Sequence, residues 1–224
     1  MNRLSRIAIA AAAALTAVAC SDSDGGPASD AAMLTDVVTL EDGGGDGRES
    51  VYSFQRYDDS PVITLTDPTT RIDHKYDGSR LLLYYYPESG LPYVSGRVSV
   101  RSARLIDTSA ITVAPLSDYR WDADGVWLNS IWRTGRWINN RMRLPYTETP
   151  FEFRLVADQA TADDAEPQLY LVYDRHGAPD NFLREGYASV DISDIWNRPT
   201  CRGVRIHVND LNLKRDIYVF NKQQ

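Results

Sequence analysis

From Met33 onward the chain is a succession of short β-type runs parted by turn residues, and no long stretch repeats at the 3.6-residue helical period. Such a chain cannot build a helical core. The reading is all-β. A first group of runs, 34–40, 51–57, 62–65, 81–86 and 98–106, is separated by Asp42–Gly47, Asp58–Pro61, Asp67–Thr70 and Pro87–Pro92. Five strands this close together suit a small closed or partly open barrel. A second group, 126–132, 137–144, 151–156, 168–173, 185–192, 203–208 and 214–220, has the spacing of a β-sandwich of about seven strands. The division drawn from this pattern is a barrel over 33–112 and a sandwich over 113–224, with Val113–Tyr119 as the hinge because it carries Pro115 and Asp118.

Several runs of the second group alternate cleanly. Tyr187-Ala188-Ser189-Val190-Asp191-Ile192 and Val204-Arg205-Ile206-His207-Val208 predict one buried face and one facing water. Tyr84, Tyr85 and Tyr86 cannot all point inward, so at least one ring must meet solvent or the other domain.

Ahead of the β-runs stands a leader. Arg3 and Arg6 precede 13 residues, Ile7 to Ala19, that are apolar or small but for Thr16, and Cys20 follows. This is the layout of a signal peptide over 1–19, too short for a spanning helix, which needs about 20 apolar residues. The expectation is cleavage before Cys20 and lipid attachment to that cysteine, placing the protein at the outer membrane on either leaflet. Ala17 stands where lipoprotein signals usually carry leucine, and the alternative is an ordinary signal cut after an Ala-x-Ala pattern. Residues 20–32, rich in Ser, Asp, Gly, Pro and Ala, read as a flexible tether. Acyl chains at about 0.8 kcal/mol per buried methylene hold such a terminus at the membrane.

Charge then narrows the partners. The leader takes two of the 24 basic residues and none of the 31 acidic ones, leaving 22 against 31, a formal charge of −9. That balance argues against nucleic acid and favours a basic or neutral partner. With Cys20 lipidated, Cys201 has no pairing partner and reads as a packed core thiol.

Motifs that compel a chemistry are absent. There is no Gly-x-Ser-x-Gly, His-Glu-x-x-His or Gly-x-x-x-x-Gly-Lys, and His74, His176 and His207 lack metal-ligand spacing, so neither a cofactor nor a metal is expected. Asp42–Gly47 reads as a hairpin turn rather than a cation loop, and the run Asp118, Asp122, Asp124 lacks the calcium-loop pattern.

The most informative local feature is aromatic. Trp121, Trp127, Trp132 and Trp137 surround the hairpin signal Arg133-Thr134-Gly135-Arg136. With Thr134-Gly135 as the turn, Trp132 would lie opposite Trp137, Ile131 opposite Ile138, and Trp127 opposite Met142. One face, with Ile131, Ile138, Trp127 and Met142, would be core. The other would present Trp132, Trp137 and Arg141 beside Ser130 and Asn139, a flat apolar platform with polar handles that suits a sugar or a peptide. A purely structural tryptophan pair is the alternative.

Asp124-Gly-Val-Trp127-Leu-Asn129, Leu169-Tyr-Leu-Val-Tyr-Asp-Arg-His176 and Arg184-Glu-Gly-Tyr-Ala-Ser-Val-Asp191, behind a lipoprotein-type leader and an acid-bearing spacer, together resemble the NigD-like lipoproteins. The resemblance implies an OB-like amino-terminal barrel joined to a carboxy-terminal β-sandwich, and a role in bacteriocin immunity. Three functions follow as expectations. The first is a non-enzymatic, membrane-anchored binding protein that engages a bacteriocin-like peptide. The second is a glycan-binding accessory lipoprotein using Trp132, Trp137 and Arg141. The third is a hydrolase, which requires a deep carboxylate-lined cleft holding a group of shifted pKa.

Overall fold

The computed structural model describes residues 32–146, 151–179 and 182–222. The leader, Cys20 and the tether up to residue 31 lie outside them.

The first five strands are β1 (Leu34–Asp42), β2 (Ser50–Phe54), β3 (Ile63–Asp67), β4 (Arg80–Pro87) and β5 (Gly96–Leu105). They close into a barrel in the order β1-β2-β3-β5-β4, with β3 and β5 parallel and the other pairs antiparallel. Alternation sends Leu81, Leu83 and Tyr85 of β4 inward, where they pack with Val38, Leu40, Tyr52, Phe54, Ile63, Leu65 and Val98. Of the tyrosine triplet, Tyr85 is buried, Tyr84 half-buried and Tyr86 exposed, with a bulge between Tyr84 and Tyr85. The Asp42–Gly47 segment is a turn. The Asp42 carboxylate accepts from the Gly44 N–H at 2.8 Å, and Gly45 bridges to Arg48.

The sandwich holds nine strands, β6 (Asp107–Ala110), β7 (Thr112–Ala114), β8 (Trp127–Thr134), β9 (Trp137–Pro145), β10 (Glu152–Asp158), β11 (Gln168–Asp174), β12 (Leu183–Asp191), β13 (Gly203–Val208) and β14 (Ile217–Asn221). One sheet runs β14-β13-β11-β10-β7 and the other β6-β12-β9-β8. The seven expected strands are all present. The two added ones, β6 and β7, are too short to show a periodicity, and each pairs in parallel with a longer strand. The segment expected as a hinge is therefore no hinge at its start. Thr112–Ala114 is bonded to β10, and a 3-10 turn over Leu116–Asp118 follows. Passage from barrel to sandwich occurs at Ile106, ahead of the 112/113 division drawn from the sequence.

Leu128, Ile138, Met142, Leu155, Leu169, Leu171, Val190, Val204 and Ile206 fill the space between the two sheets. Cys201 is buried there too, its thiol donating to the Gly203 carbonyl at 3.4 Å.

The face of β12 expected to meet water meets it only in part, with Tyr187 and Asp191 half-buried. Ser189 is fully buried, because the barrel is laid across the outer face of the four-stranded sheet. The outward residues Arg80 and Leu82 of β4 are likewise buried. Two arginines fasten the contact. Arg80 donates to Thr39 (2.9 Å) on the barrel and to Asn139 (3.0 Å) and Ser189 (3.4 Å) on the sandwich. Burial, with Arg136 nearby, lowers its pKa to about 10, so it stays charged at neutral pH. Arg133, on β8, grips Asp59 of the β2–β3 loop through two bonds of 2.9 and 2.7 Å. The Asp58 N–H donates to the Arg133 carbonyl at 2.9 Å, so the loop continues the sheet edge.

Candidate functional site

The hairpin that carries the tryptophans turns one residue later than expected. Thr134 pairs with Trp137, so Gly135-Arg136 is the loop, with Gly135 at φ +54° in the first position as a type II′ turn uses it. Trp132 then lies opposite Asn139 rather than Trp137, and Ser130 opposite Arg141. The shift moves each partner by two positions, so Trp132, Trp137 and Arg141 keep the common face expected of them. A bulge at Asn129 breaks the alternation beyond it. Leu128 is consequently in the core and Trp127 is 38% exposed, the reverse of the expected assignment.

That common face is turned toward the barrel, which covers part of it, and this separates the two tryptophans. Trp137 is held between the Arg80 and Arg136 guanidiniums, each 5.0 Å from its ring centre. It belongs to the contact between the domains. Trp132 and Arg141 instead line a cleft of about 430 Å³ where barrel and sandwich diverge. Ser130 and Tyr187 complete the sandwich wall. Thr35, Asp36, Val37, Phe54, Gln55, Arg56 and Leu82 form the barrel wall.

Polar and apolar groups line the cleft in about equal measure. Arg141 is anchored by Glu185 at 3.0 Å, which raises its pKa, and its guanidinium lies 5.8 Å from the Tyr187 ring centre. Tyr187 is held protonated by burial. On the opposite wall the Tyr85 hydroxyl donates to Asp36 at 2.9 Å. Burial raises the Asp36 pKa, against that hydrogen bond and the nearby charge of Arg56. Arg56 lies over the Tyr93 ring at 3.9 Å. Asp36 is the sole carboxylate among the lining residues. Acid–base hydrolysis of a glycoside uses two.

Of the three residues named from the sequence, Trp132 and Arg141 line this cleft and Trp137 does not, and the barrel wall was not foreseen. Asp36 and Arg56 lie about a hundred residues from Arg141, and no local pattern links them. Tyr187 did carry a signal, since it falls inside the Arg184–Asp191 stretch. Of the Asp118–Asp124 run, Asp124 is engaged by an arginine. Asp124 accepts from the Arg175 N–H and guanidinium, both at 2.7 Å. No group of three metal-ligating side chains occurs among the described residues.

Residues 110–221 match the model of the NigD-like C-terminal beta sandwich domain. The chain belongs to the NigD-like family. The match covers the sandwich, including β8, β9 and β12 of the cleft, and leaves the barrel to the structural comparison. A NigD-like immunity protein from Bacteroides caccae is similar at 17% identity with a TM-score of 0.55, over 84% of this chain and 92% of that one. A protein of unknown function from Bacteroides vulgatus is similar at 16% identity with a TM-score of 0.62, over 86% and 92%. A candidate lipoprotein from Bacteroides fragilis is similar at 15% identity with a TM-score of 0.58, over 86% and 99%. At these identities the likeness is one of fold, and it extends over both domains of the NigD-like chain. No curated protein matches the sequence.

Proposed function

We propose that this chain is an outer-membrane lipoprotein, anchored through Cys20, that binds a ligand without transforming it in the cleft between barrel and sandwich. The observation that carries the reading is the meeting of Trp132, Arg141 and Tyr187 with Asp36 and Arg56 across that cleft. An apolar ring beside converging polar groups, in a space of a few hundred Å³, is the usual make-up of a small-molecule site. The arginine-fastened contact beside it presents the two walls in a set relation, which lowers the ordering cost of binding. The leader and the polar spacer support the anchoring, as does the similarity to a candidate lipoprotein.

The test is a binding screen of the detergent-extracted protein against immobilised glycans and basic antimicrobial peptides, with Trp132→Ala alongside. Saturable binding that Trp132→Ala abolishes, with melting unchanged, supports the cleft. Binding indifferent to Trp132 refutes it.

A bacteriocin-immunity role is the second reading, favoured by the similarity to a NigD-like immunity protein and by the acidic balance of the chain. A basic peptide would be drawn to the acidic surface rather than to a cleft holding two arginines. Capture of such peptides by a protein carrying Trp132→Ala would favour that reading.

A further inference from the structure

The cleft holds a cation that the fold does not use. Among the described residues Arg56 forms no ion pair and no side-chain hydrogen bond, whereas Arg141 is tied to Glu185, Arg133 to Asp59, and Arg80 to neutral acceptors. The Arg56 guanidinium is not loose. It lies on the Tyr93 ring at 3.9 Å, a contact that holds its plane and leaves its N–H edge free to donate. A chain carrying a net excess of acids thus places a stacked guanidinium with no direct ion pair on the wall of this cleft, with Asp36 near it and Trp132 on the opposite wall.

We infer that the cleft takes a carboxylate-bearing saccharide, a uronic acid residue within an oligosaccharide, with the carboxylate on Arg56 and a sugar ring face against Trp132. This rests on the cleft being the binding site. Planar guanidinium forks match carboxylates through two parallel hydrogen bonds. The remaining polar lining side chains, Thr35, Asp36, Gln55, Ser130 and Tyr187, supply donors and acceptors of the kind that sugar hydroxyls engage. A peptide would seek backbone partners, and of the lining strands β1 and β9 are each paired on both sides, while the sheet edge β8 is bridged by Asp58 at Thr134; a peptide added along that edge is the outcome the peptide arm below detects.

The experiment is isothermal titration of the full-length, detergent-extracted protein with tetramers of galacturonate, glucuronate and mannuronate, each as the free acid and as its methyl ester. A peptide with a free C-terminal carboxylate serves as a further arm. The expected result is saturable binding of an acid tetramer, weakened about tenfold or more by esterification and to the same extent by Arg56→Gln, with Arg56→Lys intermediate. Trp132→Ala should abolish binding of acid and ester alike, and circular dichroism should show each variant folded.

If Arg56→Gln weakens acid and ester equally, carboxylate recognition is overturned and the cleft stands. If the peptide binds in a Trp132-dependent way and no tetramer does, the saccharide class is overturned. If no tetramer and no peptide binds, the saccharide class is overturned as well. If tetramers bind but Trp132→Ala leaves them bound, the cleft itself is the wrong site and both readings fall.

Discussion

Replacement of Arg133 by alanine tests how the two domains are held together. Its side chain is fully buried and makes three short bonds, two to Asp59 at 2.9 and 2.7 Å and one to the Gly135 carbonyl at 2.7 Å. Its guanidinium also lies 4.3 Å from the Trp196 ring centre. The Asp59 side chain is 47% exposed, so water screens the ion pair and reduces it to about 1 kcal/mol. The Gly135 carbonyl, left without its donor, adds about 1 kcal/mol. The lost stacking on Trp196 and the hole left by the stem add about 1–2 kcal/mol. The sum is about 3–4 kcal/mol, brought to about 3 kcal/mol because a buried charge is also removed. For a chain of this size that is a fall in Tm of roughly 6–12 °C, measurable by differential scanning calorimetry. Because the lost pair with Asp59 joins the domains, whereas Gly135 and Trp196 lie within the sandwich, the single transition should also broaden or split as the barrel melts apart from the sandwich. Arg133→Met, which keeps the stem, should recover a good part of the loss. A fall below about 3 °C with one sharp transition would refute the claim that this residue couples the domains.

Asp36→Asn should raise Tm at neutral pH. The native carboxyl has a raised pKa, so its contribution to stability is present at low pH and is lost as pH rises through the folded value; the gain should shrink as the melt is repeated toward pH 4, and a pH-independent gain would contradict this. Asp59 behaves oppositely. Its pKa is lowered by the hydrogen bonds from Arg133, so its stabilisation is present above the unfolded carboxylate range and is lost on acidification below it, and Asp59→Asn should flatten that acid limb. Trp137→Ala should cost about 2–4 kcal/mol by removing the ring between Arg80 and Arg136, whereas Trp132→Ala should change the melt by far less; equal effects in calorimetry would show that both rings are structural. Cys20→Ala should move the protein from the membrane pellet to the soluble fraction on cell fractionation, and retention in the pellet would argue against lipid anchoring.

The strands themselves were legible because a strand is a local pattern. Leu81, Leu83 and Tyr85 alternate with Arg80, Leu82 and Tyr84, and turn residues such as those of Asp42–Gly47 stop the runs on either side. The same logic explains the errors. A one-residue change in where the 133–136 hairpin turns alters every pairing along it, and a single bulge at Asn129 exchanges Trp127 with Leu128. Neither is visible in composition. The short strands β6 and β7 owe their conformation to partners far along the chain, β12 and β10, and carry no periodicity of their own.

Amino-acid order alone therefore determined the all-β class, the barrel-then-sandwich sequence of strands and the shared face of Trp132, Trp137 and Arg141. These depend on residues a few positions apart. Tertiary structure decided what that face meets. It laid the barrel over it, buried Arg80, Arg133 and Ser189, assigned Trp137 to the contact and Trp132 to the cleft, and brought Asp36 and Arg56 to the opposite wall. A strand's pattern records that one side is polar. Whether that side is covered depends on surfaces brought together from distant parts of the chain.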